Sequence, residues 1–223
     1  MWMSLIFFLF CLLLGIGVCL RCERCSSSST LCTGIPYPCS ETEDSCLIMT
    51  TEYIIANNDR WVATYKGCTK RKYCPSPSSS ATFPSQRKRR AVRCCQKDFC
   101  NKGSVTLPKL STKPNGLKCP GCFSVHAKCQ PTDTLNCHGS ESKCVYYDMT
   151  VEQVFQLLSE ARGSQELTPF SPLPIPAGDQ IYTFAKRGCA TKAVCKNTHQ
   201  MYGVPGLFIE IWKTAKCYAA PKR

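Results

Sequence analysis

The hydrophobic segments in the first half of the chain predict β-strands. The segments Ser45–Ile55 and Trp61–Cys68 are rich in β-branched and aromatic residues, which favour strands over helices. Between them, Asn57, Asn58 and Asp59 make up a sequence that is typical of a turn. We therefore predict that the two segments pair as a β-hairpin.

The second half of the chain repeats this pattern with a longer interruption. Lys143–Met149 and Ile181–Cys189 match the two strands of the first hairpin, and Leu207–Trp212 alternates as a further strand. Residues 150–180 stand as an insertion between the matching strands. The second central hairpin is therefore expected to be unusually long.

The insertion itself carries a helical pattern followed by a run of prolines. Apolar residues recur at helical spacing from Thr150 to Arg162, and Gly163 follows as a stop signal. Proline then breaks any regular structure. We predict a short helix and a proline-rich loop, and the alternative is a disordered insertion without a role. The apolar residues are Val151, Val154, Phe155, Leu158 and Ala161, and the prolines are Pro169, Pro172, Pro174 and Pro176.

An apolar segment near the beginning of the chain predicts a signal peptide. Ser4–Val18 is too short to span a bilayer comfortably, and Gly17 and Cys19 are small residues at the positions that signal peptidase recognises. We predict that residues 1–19 are removed, and the alternative is a retained signal anchor. No hydrophobic tail follows Cys217, so we expect neither a lipid anchor nor a membrane span.

The cysteines divide into two similar series and indicate an oxidising, extracellular environment. The chain has 20 cysteines in 223 residues, a density typical of secreted disulfide-rich proteins. Without Cys11 and Cys19 of the predicted leader, 18 remain, an even number that allows complete pairing. The first series is Cys22, Cys25, Cys32, Cys39, Cys46, Cys68, Cys74, Cys94, Cys95 and Cys100, and the second is Cys119, Cys122, Cys129, Cys137, Cys144, Cys189, Cys195 and Cys217.

The segment between the two series predicts the domain organisation. Residues 102–118 contain no cysteine and are rich in proline, glycine and small polar residues, which is typical of a linker. We predict a first domain at 20–101 with ten cysteines and a second domain at 119–217 with eight, the second carrying the inserted central finger at 150–180. A tail at 218–223 follows.

The end of the first series is characteristic of a known family. Cys94, Cys95, Cys100 and Asn101 form the pattern C-C-x-x-x-x-C-N, which resembles the urokinase-receptor and lymphocyte-antigen (LU) domain. This resemblance implies an all-β, small, disulfide-rich fold made of two tandem three-finger domains. It also implies the disulfides Cys22–Cys46, Cys25–Cys32, Cys39–Cys68, Cys74–Cys94, Cys95–Cys100, Cys119–Cys144, Cys122–Cys129, Cys137–Cys189 and Cys195–Cys217.

The tandem of ten and eight cysteines narrows the resemblance further. Together with the segments Pro114–Pro120, Cys137–Cys144 and Lys186–Thr191, it is similar to the gamma-type phospholipase A2 inhibitors. The resemblance implies a secreted binding protein. The insertion at 150–180 and the formal charge of +13 are departures from that group.

The residues that catalysis needs are scarce in this chain. His126, His138 and His199 are its three histidines, and the nucleophile, zinc-protease and phosphate-loop motifs are absent. We therefore expect no enzymatic activity and no cofactor. The pairs Cys22/Cys25 and Cys119/Cys122 have the spacing of zinc ligands, but disulfides are the simpler interpretation in a secreted protein.

A basic run in the first domain carries three alternative interpretations. Arg87, Lys88, Arg89 and Arg90 follow the serine-rich stretch Ser76–Ser85, which we interpret as the flexible tip of the third finger. Such a tip suits cleavage by a secretory-pathway convertase or binding of heparan sulfate, and the remaining alternative is a solvated loop. No module that reads nucleic acid is present.

We therefore predict a secreted protein that captures a secreted phospholipase A2, or another extracellular protein, by steric contact. Apolar side chains near hairpin tips are the expected anchors. The alternative is an extracellular receptor or heparan sulfate ligand that acts through basic finger loops. The candidate contacts are Tyr53, Ile54, Ile55 and Trp61 in the first domain and Phe155, Leu157, Leu158 and Phe170 in the second.

Overall fold

The structure is a computed structural model that describes residues 19–55, 59–126, 128–152, 181–196, 201–204 and 208–220. The described residues form almost exclusively β-structure, with one 3-10 turn at Arg71–Tyr73 and one short helix, α1, at Lys192–Cys195. None of the described helices has the length and apolar character that a membrane crossing requires. The strands are β1 (Arg21–Ser27), β2 (Ile35–Pro38), β3 (Ser45–Ile55), β4 (Arg60–Thr69), β5 (Ser78–Phe83), β6 (Gln86–Cys95), β7 (Pro114–Ser124), β8 (Asp133–His138), β9 (Glu141–Glu152), β10 (Ile181–Thr191), β11 (Met201–Val204) and β12 (Phe208–Tyr218).

The first domain consists of three antiparallel hairpins, or fingers: β1–β2, β3–β4 and β5–β6. The central strand β3 pairs with β4 on one side and with β6 on the other. The hairpin predicted from Ser45–Ile55 and Trp61–Cys68 is thereby confirmed. The first finger joins the same sheet because β1 also pairs with β4.

The second domain has the same order of fingers: β7–β8, β9–β10 and β11–β12. Its central strand β9 pairs with β10 and with β12, and β7 pairs with β10 as β1 does with β4. Equivalent residues occupy equivalent positions, since Cys25 lies opposite Lys66 and Cys122 lies opposite Arg187. The chain thus contains two tandem three-finger domains.

The structure corrects three sequence-based expectations about local structure, one of which lies partly outside the described residues. The serine-rich stretch before Gln86 contains strand β5, so it is not a flexible tip. Strand β9 extends through Glu152, so the predicted helix does not begin at Thr150; residues 153–180, where its remainder and the proline-rich loop fall, lie outside the described residues. The predicted linker overlaps β7, which begins at Pro114.

Disulfides form the centre of each domain. Nine disulfides lie among the described residues, and they join the pairs that the family resemblance implies. In the first domain, buried Cys22, Cys39 and Cys46 cluster with the half-buried Cys68, Cys95 and Cys100. In the second, Cys119, Cys137, Cys144 and Cys189 form the equivalent cluster. Each disulfide of this kind typically stabilises a small domain by about 2–4 kcal/mol.

The two domains join edge to edge at what we call the junction, the pairing of β5 with β10. Cys189 lies opposite Thr82 and Ala190 opposite Ala81, so one sheet continues from the first domain into the second. A side chain at Gly188 would collide with the carbonyl oxygen of Thr82, which explains why a glycine stands where the strands approach. The sheet therefore forms one continuous unit.

An apolar core crosses the junction. Ala81 and Phe83 of the first domain pack with Val145, Tyr147, Met149, Ala190 and Val194 of the second, all of them buried. The rings of Phe83 and Tyr147 have their centres 5.7 Å apart. Because apolar burial contributes about 25 cal/mol per Å², this shared core stabilises the second domain with residues of the first.

Candidate functional site

A buried carboxylate lies at the junction. The Thr82 hydroxyl donates a 2.8 Å hydrogen bond to one oxygen of Glu141, and the backbone N–H of His138 donates a 3.0 Å bond to the other. Burial raises the pKa of the Glu141 carboxyl, and these two hydrogen bonds oppose the rise. Arg87 reaches the same place by donating to the Thr82 hydroxyl. The junction thus contains a polar network as well as an apolar core.

The basic run Arg87–Arg90 lies in strand β6, between β3 and β5, and not in a flexible loop. Arg87 donates to the carbonyl oxygen of Ser111 at 2.6 Å, and Arg89 donates to the carbonyl oxygen of Pro108 at 2.7 Å and to the Glu52 carboxylate. The run therefore holds part of the predicted linker against the first domain.

The other two cations of the run lie along one side of a small interdomain cavity. The Lys88 ammonium is 4.8 Å from the centre of the Tyr53 ring, and the Arg90 side chain is buried. Lys88 and Arg90 both line this cavity, together with Tyr147 and Lys186 of the second domain. A protease needs an accessible, unpaired segment, whereas this run is hydrogen-bonded on both sides, so the structure does not support the expectation of a convertase site.

The predicted anchors of the first domain are mostly inside the protein. Tyr53 is 5% exposed and Ile54 is 7% exposed, so neither side chain is available to a partner in this conformation. Ile55 and Trp61 are half-buried, and the Trp61 ring packs on Tyr53 with ring centres 5.1 Å apart. The remaining predicted anchors, Phe155, Leu157, Leu158 and Phe170, lie outside the described residues.

The cysteine clusters do not have the chemistry of a zinc site. The sulfur atoms of Cys22, Cys39 and Cys68 lie within 4.8 Å of one another, as do those of Cys119, Cys137 and Cys189. All of these cysteines are in disulfides, and a metal-binding cysteine must be a thiolate. Their proximity reflects the packing of neighbouring disulfides at the base of each domain.

The described histidines are also poorly placed for catalysis. His126 lies at the tip of the β7–β8 hairpin, where its backbone N–H bonds the Ser124 hydroxyl at 3.1 Å. His138 lies at the end of β8, and its contact with Glu141 is made by the backbone. Neither ring forms the hydrogen bond to a nucleophile that acid–base catalysis needs. His199 lies outside the described residues.

Exposed apolar side chains are concentrated on a different finger from the predicted one. Among the described residues, Leu31, Ile35, Phe123 and Val125 are exposed, and all four belong to the first finger of a domain. Tyr73, the last residue of the 3-10 turn, is also exposed. The hydrophobic pattern of the sequence does not single out these four residues. Leu31 adjoins Cys32 and Phe123 adjoins Cys122, each a cysteine of a short disulfide loop, and this adjacency is the signal that the sequence contains.

Comparison with known proteins gives the same family as the cysteine spacing. The u-PAR/Ly-6 domain model matches residues 18–103 and 115–161. The chain is 34% identical over 146 residues to a phospholipase A2 inhibitor of the gamma type from Gloydius brevicaudus siniticus, covering 62% of this chain and 72% of that protein. It is 31% identical over 150 residues to phospholipase A2 inhibitor NAI of Notechis ater, covering 61% and 71%.

Two further similarities are more distant. The chain is 27% identical over 186 residues to the urokinase plasminogen activator surface receptor of Bos taurus, covering 81% of this chain and 47% of that receptor. Among solved structures, mouse TEX101 is similar at a TM-score of 0.33 and 14% identity, over 90% of this chain and 98% of that one, a level that carries no conclusion. The matched family model accounts for more than half of the residues, and the chain belongs to the u-PAR/Ly-6 domain family.

Proposed function

We propose that this protein is a secreted, non-enzymatic binding protein that inhibits a secreted phospholipase A2 by steric capture. The observation that carries the proposal is the 34% identity to a gamma-type phospholipase A2 inhibitor over 72% of that relative's length. The tandem of two disulfide-rich domains supports it, because a rigid surface loses little conformational entropy on binding.

An inhibition assay with purified protein tests the proposal directly. Secreted phospholipases A2 are assayed on a monomeric, water-soluble substrate, because inhibition then cannot arise from covering a lipid surface. We expect a stoichiometric complex in size-exclusion chromatography and loss of activity at micromolar protein or below. Full activity of every enzyme in the panel, with no complex, would contradict the proposal. Protein whose disulfides have been reduced and alkylated is the negative control.

The alternative, a heparan sulfate ligand acting through Arg87–Arg90, has less support. Arg87 and Arg89 are engaged by backbone carbonyls and Glu52, and Arg90 is buried. The formal charge of +13 is the observation in its favour. Elution from heparin at high salt that is lost when these four residues are neutralised, without any effect on phospholipases, would favour this alternative.

A further inference from the structure

The first fingers of the two domains share an unusual surface. Leu31 is 68% and Ile35 is 70% exposed on the β1–β2 finger, and Phe123 is 39% and Val125 is 48% exposed on the β7–β8 finger. A single exposed apolar side chain is ordinary. Two on the same finger of each domain form a concentration of exposed apolar groups that suits contact with a partner.

Both fingers are held in a defined shape. Cys25–Cys32 closes the first and Cys122–Cys129 closes the second, each across a separation of 7 residues. Each finger is also anchored to its central hairpin, through β1 with β4 and through β7 with β10. A disulfide-closed hairpin loses less conformational entropy on binding than an open loop does. The exposed side chains are therefore presented on rigid supports.

The two fingers lie on one continuous sheet, one on each side of the junction. Six antiparallel pairings lead from β1 through β4, β3, β6, β5 and β10 to β7. Gly121 of β7 lies beside Pro84, which follows β5. A protein that contacts both fingers must therefore span the junction.

Cations lie beside the exposed apolar groups of both fingers. Arg24 stands opposite Ile35 in the β1–β2 pairing. The Lys186 ammonium is 5.4 Å from the centre of the Phe123 ring, and Lys128 is exposed at the same tip. Arginine, aromatic and aliphatic groups in such a mixture are typical of protein interfaces. The charges favour a partner with acidic groups around its binding site.

The composition of the first tip distinguishes a protein partner from a lipid surface. Residues 26–30 read Ser-Ser-Ser-Ser-Thr, and hydroxyl groups gain hydrogen bonds at a protein surface but are costly to bury in hydrocarbon. We propose that Leu31, Ile35, Phe123 and Val125 are the anchors that contact the captured protein, and that they occupy apolar recesses bordered by acidic side chains. This inference rests on the proposed function, because it identifies the surface that captures the enzyme.

Paired substitutions on each finger test the inference. The variants are L31S/I35S and F123S/V125S, and the matched control is Tyr73→Ser, which removes an exposed apolar side chain outside the fingers. All five side chains are exposed, so the fold should persist, and circular dichroism and free-thiol counting verify this. Against a phospholipase A2 that the unaltered protein binds, we expect each double variant to weaken binding at least tenfold. Tyr73→Ser should leave the affinity unchanged.

The outcomes separate this inference from the proposed function. If the unaltered protein inhibits the enzyme and the double variants bind as well as it does, the first fingers are not the contact surface, although the proposed function stands. Loss of binding from one finger alone overturns the two-finger contact. If the unaltered protein binds no enzyme, the proposed function fails. Co-sedimentation with phosphatidylserine vesicles that both double variants abolish, without enzyme binding, would identify a lipid surface as the ligand instead.

Discussion

The two domains have the same fingers, but their cysteine clusters are closed in different ways. In the first domain, Cys95 lies opposite Cys46, and its disulfide to Cys100 packs on the cluster. In the second, Tyr218 takes the place opposite Cys144, and its half-buried ring packs on the equivalent cluster. An aromatic ring thus covers the disulfides where the first domain uses a fifth one. The eight-cysteine domain therefore covers its disulfide cluster without a fifth disulfide.

A second difference explains the asparagine after the last cysteine of the first domain. Buried Asn101 accepts a 2.9 Å hydrogen bond from the Glu23 N–H and donates to the carbonyl oxygens of Glu23 and Leu47. The residue equivalent to Glu23 in the second domain is Pro120, which follows Cys119 as Glu23 follows Cys22. Proline has no N–H to satisfy. The second domain therefore has less need of an equivalent asparagine.

The third difference is where each domain obtains its apolar core. Leu47, Met49 and Val92 form a core within the first domain. The main core of the second domain includes Ala81 and Phe83, which belong to the first. We therefore expect the second domain to depend on the first more than the first depends on the second.

The largest expected effect comes from removing the shared aromatic ring. Phe83→Ala should destabilise the protein by about 3–5 kcal/mol, because it leaves a cavity against Tyr147. Hydrogen exchange measured with a mass spectrometer should show faster exchange in β9 and β10 of the second domain. The matched control is Val92→Ala, which weakens the separate core of the first domain. Faster exchange confined to residues 20–101 in Phe83→Ala would refute the asymmetry.

Loss of the buried amide should have the next largest effect, confined to the first domain. Asn101→Ala leaves the Glu23 N–H without its acceptor and the Leu47 carbonyl without its donor, at a cost of about 2–3 kcal/mol. Denaturant titration measures this cost. Asn115 provides the control, since its amide also donates to two carbonyls, of Gly139 and Glu141, but at the surface. Equal losses for Asn101→Ala and Asn115→Ala would argue against the importance of burial.

The disulfide pairs were expected from the resemblance to the LU domain, because cysteine spacing alone does not choose among the possible pairings. Ser45–Ile55 is rich in β-branched and aromatic residues, so its strand was predictable. The position of Arg87–Arg90 within a strand was not predictable, because a basic run beside serines resembles an exposed loop. Only pairing with β3 and β5, and hydrogen bonds from Arg87 and Arg89 to distant carbonyl groups, place it in the sheet.

The exposure of apolar side chains was also not predictable from the sequence. Tyr53 and Ile54 stand near a hairpin tip in sequence, but the packing of neighbouring fingers decides that both are buried. Leu31 and Ile35 do not belong to a periodic hydrophobic pattern. Leu31 lies in a short disulfide loop that has no interior, and Ile35 lies just after this loop. Which apolar side chains face outward is therefore a property of long-range packing.

A smaller difference in stability is expected between glycine substitutions at equivalent positions of the two domains. Gly188 and Gly67 both precede the last cysteine of a central hairpin. A Cβ at Gly188 would collide with the Thr82 backbone, whereas one at Gly67 would meet the end of the Tyr65 side chain, which can rotate away. Gly188→Ala should therefore cost about 1–3 kcal/mol and Gly67→Ala less. Thermal unfolding compares the two variants, and equal costs would mean that β5 and β10 are not held closely together.

The smallest expected effect is a dependence of the junction on pH. Because burial raises the pKa of the Glu141 carboxyl, the folded protein binds a proton there more tightly than the unfolded chain does. This contribution to stability is therefore complete below the ordinary glutamate pKa of about 4.3 and is lost as the pH rises through the raised value.

Glu141→Gln removes this titration while keeping an acceptor for the Thr82 hydroxyl. The free energy of unfolding of the unaltered protein, minus that of the variant, should therefore increase as the pH falls from 7 towards 4. The other ionisable groups are the same in both proteins, so most of their contribution to the free energy of unfolding cancels in the difference. Since the hydrogen bond from Thr82 of the first domain stabilises the ionised Glu141 carboxylate and lowers its pKa, the increase should become larger when Thr82→Val is present in both proteins. An increase of the same size with and without this substitution would mean that Thr82 of the first domain does not influence the titration of Glu141.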